Sequence, residues 1–276
     1  MDPWEALEAA IVGCRRCPRL VSWREDVAAT RRRAYREQTY WGRPVPGFGD
    51  PKARVLIVGL APGAHGANRT GRLFTGDSSG DFLFGALHRA GWASQGSSHS
   101  RDDGMVLQDV YISAVCRCAP PDNRPANDEV ASCLPYLVQE IDLLEHLEII
   151  VALGRIAFDT VLKLESTSAQ PRASGNPAFV GLGGPSQSRP LALPFAHGAV
   201  YSLAPPRTAA FLLADPASES GVSRPDGDKR GRWLVTSYHP SRQNTQTGRL
   251  TSEMFDQIWQ QARDLLQDGI TTGNRP

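Results

Sequence analysis

Four short apolar runs constrain the fold more than any other feature of this chain. They are RVLIVGL (54–60), DVYISAV (109–115), EIIVALG (148–154) and RWLVTSY (232–238), each of strand length and each without a polar face. Segments of helical periodicity follow them. Residues 79–90 bring Phe82, Leu83, Ala86 and Leu87 together, and the last helix does the same with Phe255, Ile258, Trp259, Ala262, Leu265 and Leu266. Strands that alternate with helices, and are apolar on both faces, call for a mostly parallel sheet covered on both sides. The expected fold is therefore α/β: a single αβα sandwich around a central, mostly parallel four-stranded sheet. One domain spans 1–276. The stretches 166–190 and 212–231, rich in Pro, Gly, Ser and charge, are expected as surface loop insertions, and 268–276 as a flexible tail.

Composition removes several function classes. No stretch approaches the roughly 20 apolar residues of a membrane span, and the acidic start MDPWEALEAA is unlike a signal peptide, so the expectation is a cytoplasmic protein with no membrane partner. Five cysteines, an odd number, point to thiols or metal ligands rather than disulfides. The formal net charge is +1, so an anionic partner must be met by local charge, and only Lys52, Lys163 and Lys229 carry an amine.

Two segments follow strands directly, where ligands of open α/β sheets bind. The first, GLAPGAHGANRTGRLFTGD (59–77), lacks the G-x-x-x-x-G-K-[ST] pattern, and no acidic residue closes a second strand, which argues against a nucleotide cofactor. Its glycines let backbone N–H groups approach a ligand and stabilise negative charge. Asp77 at its end reads either as the N-cap of the next helix or as a carboxylate facing the ligand. The second, HPSRQNTQTGRLT (239–251), gathers hydroxyls, amides and Arg249 as a phosphate grip behind His239. Cys14 and Cys17 form C-x2-C, and Cys116, Cys118 and Cys133 lie far along the chain. That spacing suits zinc or an iron–sulfur cluster, and equally a set of buried free thiols with one surface pair.

CRRCPRLVSWRE, YWGRPVPGFGD, GLAPGAHGANRTGRLFTGD, RCAPPDNRP with Cys133 after it, VALGRIA and YHPSRQNTQTGRLT together resemble the family 5 (type B) uracil-DNA glycosylases of the iron–sulfur uracil-DNA glycosylase superfamily. The resemblance covers most of 4–162 and 193–266. It implies a [4Fe–4S] cluster held by Cys14, Cys17, Cys118 and Cys133, with Cys116 a spare buried in a strand. It implies catalysis by Asp77 and His239, with Gly59, Ala61, Gly63, His65, Phe74, Ala114 and Asn123 around the flipped base. Ser241, Arg242, Asn244, Thr247, Gly248, Arg249 and Leu250 would meet DNA, Leu250 as a wedge in the base stack. Arg69, Arg72 and the run Arg31, Arg32, Arg33 with Arg36 are further candidates for phosphate contacts.

The implied activity is that of a monofunctional, monomeric DNA glycosylase of base-excision repair in the cytoplasm at the bacterial nucleoid. It would act on double-stranded DNA containing uracil or other deaminated or modified bases. No lysine stands in these motifs, so strand cleavage through a Schiff base has no nucleophile. Ala114 stands where uracil-selective relatives carry asparagine, and it cannot penalise a base lacking matching groups, so a tolerant pocket is expected. The alternative is an iron–sulfur damaged-DNA-binding protein that captures flipped bases without cleavage.

Overall fold

The structure is a computed structural model that describes residues 2–165, 193–203 and 232–272. In chain order its elements are α1 (Pro3–Val12), α2 (Pro18–Thr30), β1 (Phe48–Gly49), β2 (Val55–Gly59), α3 (Ala67–Thr70), α4 (Ser78–Arg89), β3 (Val110–Ala114), α5 (Asn127–Leu143), β4 (Ile149–Leu153), α6 (Arg155–Glu165), β5 (Val200–Ser202), β6 (Trp233–Ser237), α7 (Arg242–Gln246) and α8 (Ser252–Thr272).

The four apolar runs are β2, β3, β4 and β6, and they pair in parallel: Ile57 stands opposite Ile112 and Val151, and Val151 opposite Val235. Their continuous hydrophobicity has a simple cause. Along β2, Val55 and Ile57 enter a core shared with α4 and α8, while Leu56 and Val58 enter a second core shared with α1, α5 and α6. Two antiparallel edge strands absent from the sequence expectation widen the sheet to six, in the order β1-β3-β2-β4-β6-β5. With two and three residues, β1 and β5 are too short to show alternation in sequence.

Helix α8 extends to Thr272, into the segment expected as a tail; residues 273–276, and the expected loops 166–190 and 212–231, lie outside the described residues. Among the described residues no helix is long and apolar enough to cross a membrane.

Strand order decides where a ligand can sit. β3 lies on one side of β2 and β4 on the other, and the helix after β2 packs on the opposite sheet face from those after β3 and β4. Chain direction across the sheet thus reverses at β2, which opens a crevice beyond the carboxyl ends of the central strands. The glycine-rich segment follows β2 and His239 follows β6, so both expected segments border that crevice.

Candidate active site

Asp77 divides the work of its two carboxylate oxygens. Oδ1 accepts from the backbone N–H groups of Ser79 and Gly80, both at 3.0 Å, which caps α4. Oδ2 takes part in no hydrogen bond among the described residues and rests against the backbone of the glycine-rich segment. A Cβ at Gly66 would stand 1.9 Å from it, and one at Gly63 would stand 2.8 Å away, so side chains at these positions would evict the carboxylate. Burial pushes the Asp77 carboxyl above its ordinary range and the neighbouring Asp81 adds to this, while the two backbone bonds and the charge of Arg69 pull the other way. The carboxylate opens on a cleft of about 360 Å³ lined also by Tyr35, Gln38, Arg69, Gly76, Ser78, Asp81 and His99. A larger depression of about 450 Å³, around Arg54, Trp92 and Arg263, lies at the amino ends of the strands and away from Asp77.

Phe74 lies across Gly59 at the end of β2; a Cβ there would meet its Cζ at 2.7 Å. Its backbone sits at φ 52°, a left-handed conformation rare for an aromatic residue. The ring stacks on His239, with centroids 6.0 Å apart and planes 28° from parallel. His239 in turn packs on Gly154, the residue after β4, where φ is +96° and a Cβ would be 3.2 Å from the histidine Cβ. Residues from the ends of β2, β4 and β6 thus converge on one point. Burial alone pushes His239 down to about 4, so its imidazole is neutral near pH 7. His65 is held by Tyr40, whose hydroxyl lies 3.0 Å from Nδ1, and burial with nearby Arg32 and Arg69 keeps it neutral as well. Tyr40 opens the YWGRPVPGFGD motif, but nothing in the sequence pointed to its contact with His65.

Burial bears on several of the expected contacts. Ala114 pairs with Gly59 but is 1% exposed, part of the core against which Phe74 packs, so it floors the site without facing open space. Leu250 is also 1% exposed within that core and is no ready wedge. Arg69 and Arg72 are buried structural ties. Arg69 donates to the carbonyls of His65 and Gly76 and to Gln38, and stacks over Tyr35; Arg72 reaches Thr75, Ser98, Asp103 and the Arg101 carbonyl. Asn244 gives its amide to the His239 carbonyl at 2.8 Å, and Thr247 turns back to Gln243, so both brace their own segment. Arg242, Gly248 and Arg249 are exposed, Ser241 and Ala61 are half-buried, and Arg249 stacks over Tyr238 at 4.7 Å. Asn123 is exposed in a turn at φ 55°, and the structure does not bring it to Asp77 or His239 through any contact.

The cysteines come from four directions. Cys14 ends the turn after α1, Cys17 precedes α2, Cys118 follows β3, and Cys133 projects from α5. Arg19 of α2 grips Glu129 of α5 at 2.6 Å and fastens the two helices together. The thiols feel one another. Burial raises Cys17, and the nearby Cys133 and Cys14 raise it further; burial pushes Cys118 up to about 11 against the opposing pull of Arg24. Cys116 lies beyond the end of β3, not within it, and its buried thiol lies close enough to Cys133 to interact with it electrostatically.

Among the described residues no three His, Cys, Asp or Glu side chains are gathered closely enough to hold one ion. A four-iron cluster holds its thiolates farther apart than a single ion does, and the surroundings fit such a group. The guanidinium of Arg24, 2% exposed, donates to Cys118 Sγ at 2.9 Å and leaves Nε without a partner among the described residues, while that of Arg117, 1% exposed, is paired with the buried Glu140 and keeps Nε and Nη1 unused. Buried cations with unused donors suit an anionic, sulfur-rich group.

The sequence of this chain has counterparts among known proteins. The sequence profile of the Uracil DNA glycosylase superfamily matches residues 46–263. The chain is 45% identical over 261 residues to the Type-5 uracil-DNA glycosylase of Thermus thermophilus, covering 95% of this chain and 97% of that protein. Identity is 44% over 260 residues to the Type-5 uracil-DNA glycosylase of Mycobacterium leprae, covering 94% of each. The chain belongs to the uracil-DNA glycosylase superfamily, and within it to the type-5 family.

Proposed function

We propose that this protein is a monofunctional uracil-DNA glycosylase of base-excision repair, hydrolysing the bond between C1′ and the base to leave an abasic site. The observation that carries this reading is Asp77, whose Oδ1 is fixed by two backbone bonds while Oδ2, with no hydrogen bond among the described residues, lies against the glycine-rich segment that follows β2. Breaking the bond makes the sugar cationic and the leaving base anionic, so each needs a partner in the transition state. Oδ2 of Asp77 faces the sugar, to stabilise the cation or to hold the attacking water. The neutral imidazole of His239 donates to the charge developing on the base, and the Phe74 ring carries the flipped base by stacking. Arg242 and Arg249 hold phosphates of double-stranded DNA.

Cys14, Cys17, Cys118 and Cys133 hold a [4Fe–4S] cluster, which serves as a structural clamp on α1, α2 and α5. The enzyme works as a monomer in the cytoplasm. Ala114 brings no hydrogen-bonding group to the base, which favours a site that accepts hypoxanthine, 5-hydroxymethyluracil or ethenocytosine besides uracil.

Matched duplexes bearing one such base each test the reading. Strand breaks that follow alkali treatment, and do not precede it, support a monofunctional glycosylase. Breaks before alkali would mean lyase chemistry, and a mobility shift with intact DNA after alkali would favour a protein that captures bases without cutting. A uracil rate more than about 1,000-fold above every other base, roughly 4 kcal/mol of discrimination, would overturn the tolerance.

A further inference from the structure

The segment CRRCPRLVSWRE contains a buried arginine for which the proposed reaction has no use. Arg24, on α2, is 2% exposed. Its Nη1 lies 2.9 Å from Cys118 Sγ and 3.4 Å from the Cys14 carbonyl, which Nη2 also approaches at 3.5 Å. Among the described residues its one ion-pair partner, Glu25, is 3.5 Å away and well exposed, and Nε has no hydrogen-bond partner. A guanidinium buried this way is costly unless negative charge lies close by. The backbone of the same residue faces the other site. The Arg24 carbonyl accepts from Nδ2 of Asn68 at 3.2 Å, and the N–H of Asn68, itself 1% exposed, reaches the carbonyl of Gly63 at 3.0 Å. Gly63 is one of the two glycines against which the Asp77 carboxylate rests.

We infer that Arg24 is the charge-balancing and positioning residue of the iron–sulfur site: its guanidinium donates to the Cys118 thiolate and offsets the cluster's negative charge, while its carbonyl anchors the glycine-rich loop. The inference rests on the reading that the four cysteines hold a cluster. An N–H bond to a thiolate sulfur withdraws electron density, and a fixed positive charge favours the more negative, reduced state. Both raise the reduction potential, and both oppose protonation of the Cys118 sulfur, the step by which a thiolate leaves iron.

Arg24→Met keeps the length and the backbone carbonyl but removes the charge and the donors. Arg24→Lys keeps the charge without the fork. Wild type and both variants are purified anaerobically and compared for iron content, visible absorption, midpoint potential in a redox titration, and the rate at which a chelator removes iron. The expected order of potential is wild type, then Arg24→Lys, then Arg24→Met, with iron lost to chelator at least several-fold faster from Arg24→Met. Iron-loaded wild type and Arg24→Met with equal potentials and equal iron retention would overturn the inference and leave the cluster reading intact. Wild type purified without iron or colour would overturn both. Should circular dichroism show that Arg24→Met does not fold, Arg24→Lys decides: a lowered potential or faster iron loss supports the inference, and wild-type values in both overturn it.

Discussion

At Asp77 the helix-cap reading holds on Oδ1, and Oδ2, which takes no part in the cap, is left for the role proposed above. No residue pattern could have divided them, because the division depends on the loop glycines that let Oδ2 lie against bare backbone. Burial, equally invisible in a residue pattern, decides Arg69, Arg72 and Leu250. Their sequence neighbours mark a functional loop, yet burial turns them into its internal bracing. The raised carboxyl of Asp77 has a kinetic consequence. Activity that needs the carboxylate falls as pH drops through its pKa, which lies above the ordinary aspartate range through burial and the like charge of Asp81. Asp81→Asn removes that like charge, lowers the Asp77 pKa and therefore moves the acid limb of the single-turnover rate to lower pH. A limb that stays in place, or shifts upward, would show that Asp81 does not act on the reacting carboxylate. His239 is already neutral above about pH 4, so the rate should show no step near 6.5.

Among the elements, β2, β3, β4 and β6 were legible because two covered faces make a strand apolar throughout, and α4 and α8 because each buries one stripe. The edge strands β1 and β5 and the bracing by Tyr40 were not, since they depend on partners distant in sequence. The C-x2-C spacing pointed to two of the four proposed cluster ligands, while the tie between α2 and α5 through Arg19 and Glu129, which bears on Cys133, was not legible in the sequence. Cys118→Ala should lose iron, visible colour and thermal stability together, since a cluster that forms only in the folded state lends its binding energy to folding. Cys116→Ala should keep iron and colour although its thiol lies close to Cys133. Iron analysis and thermal melts of the two proteins check this, and a colourless but fully stable and active Cys118→Ala protein would refute the ligand assignment.

Across the whole molecule, a chain of net charge +1 holds a polyanion only where cations are left unpaired on the surface. Arg249 is such a cation, exposed and resting on Tyr238 beside the site. Arg249→Ala should weaken binding to uracil-containing duplex and flatten the dependence of affinity on salt by about one counterion, measured as the slope of log Kd against log salt concentration. An unchanged slope would place the phosphate contact elsewhere. Asp77 ends the segment after β2 and His239 follows β6, so both stand on connections beyond the carboxyl ends of the sheet, and the proposed chemistry rests first on the Asp77 carboxylate. Asp77→Asn isolates it, because asparagine keeps an oxygen for the cap while removing the negative charge. Single-turnover release of uracil from duplex DNA, measured beside the thermal midpoint of the same protein, should fall on the order of 100-fold or more with the midpoint nearly unchanged. Wild-type release rates from an Asp77→Asn protein of wild-type stability would contradict it, leaving the carboxylate as a helix cap and nothing more.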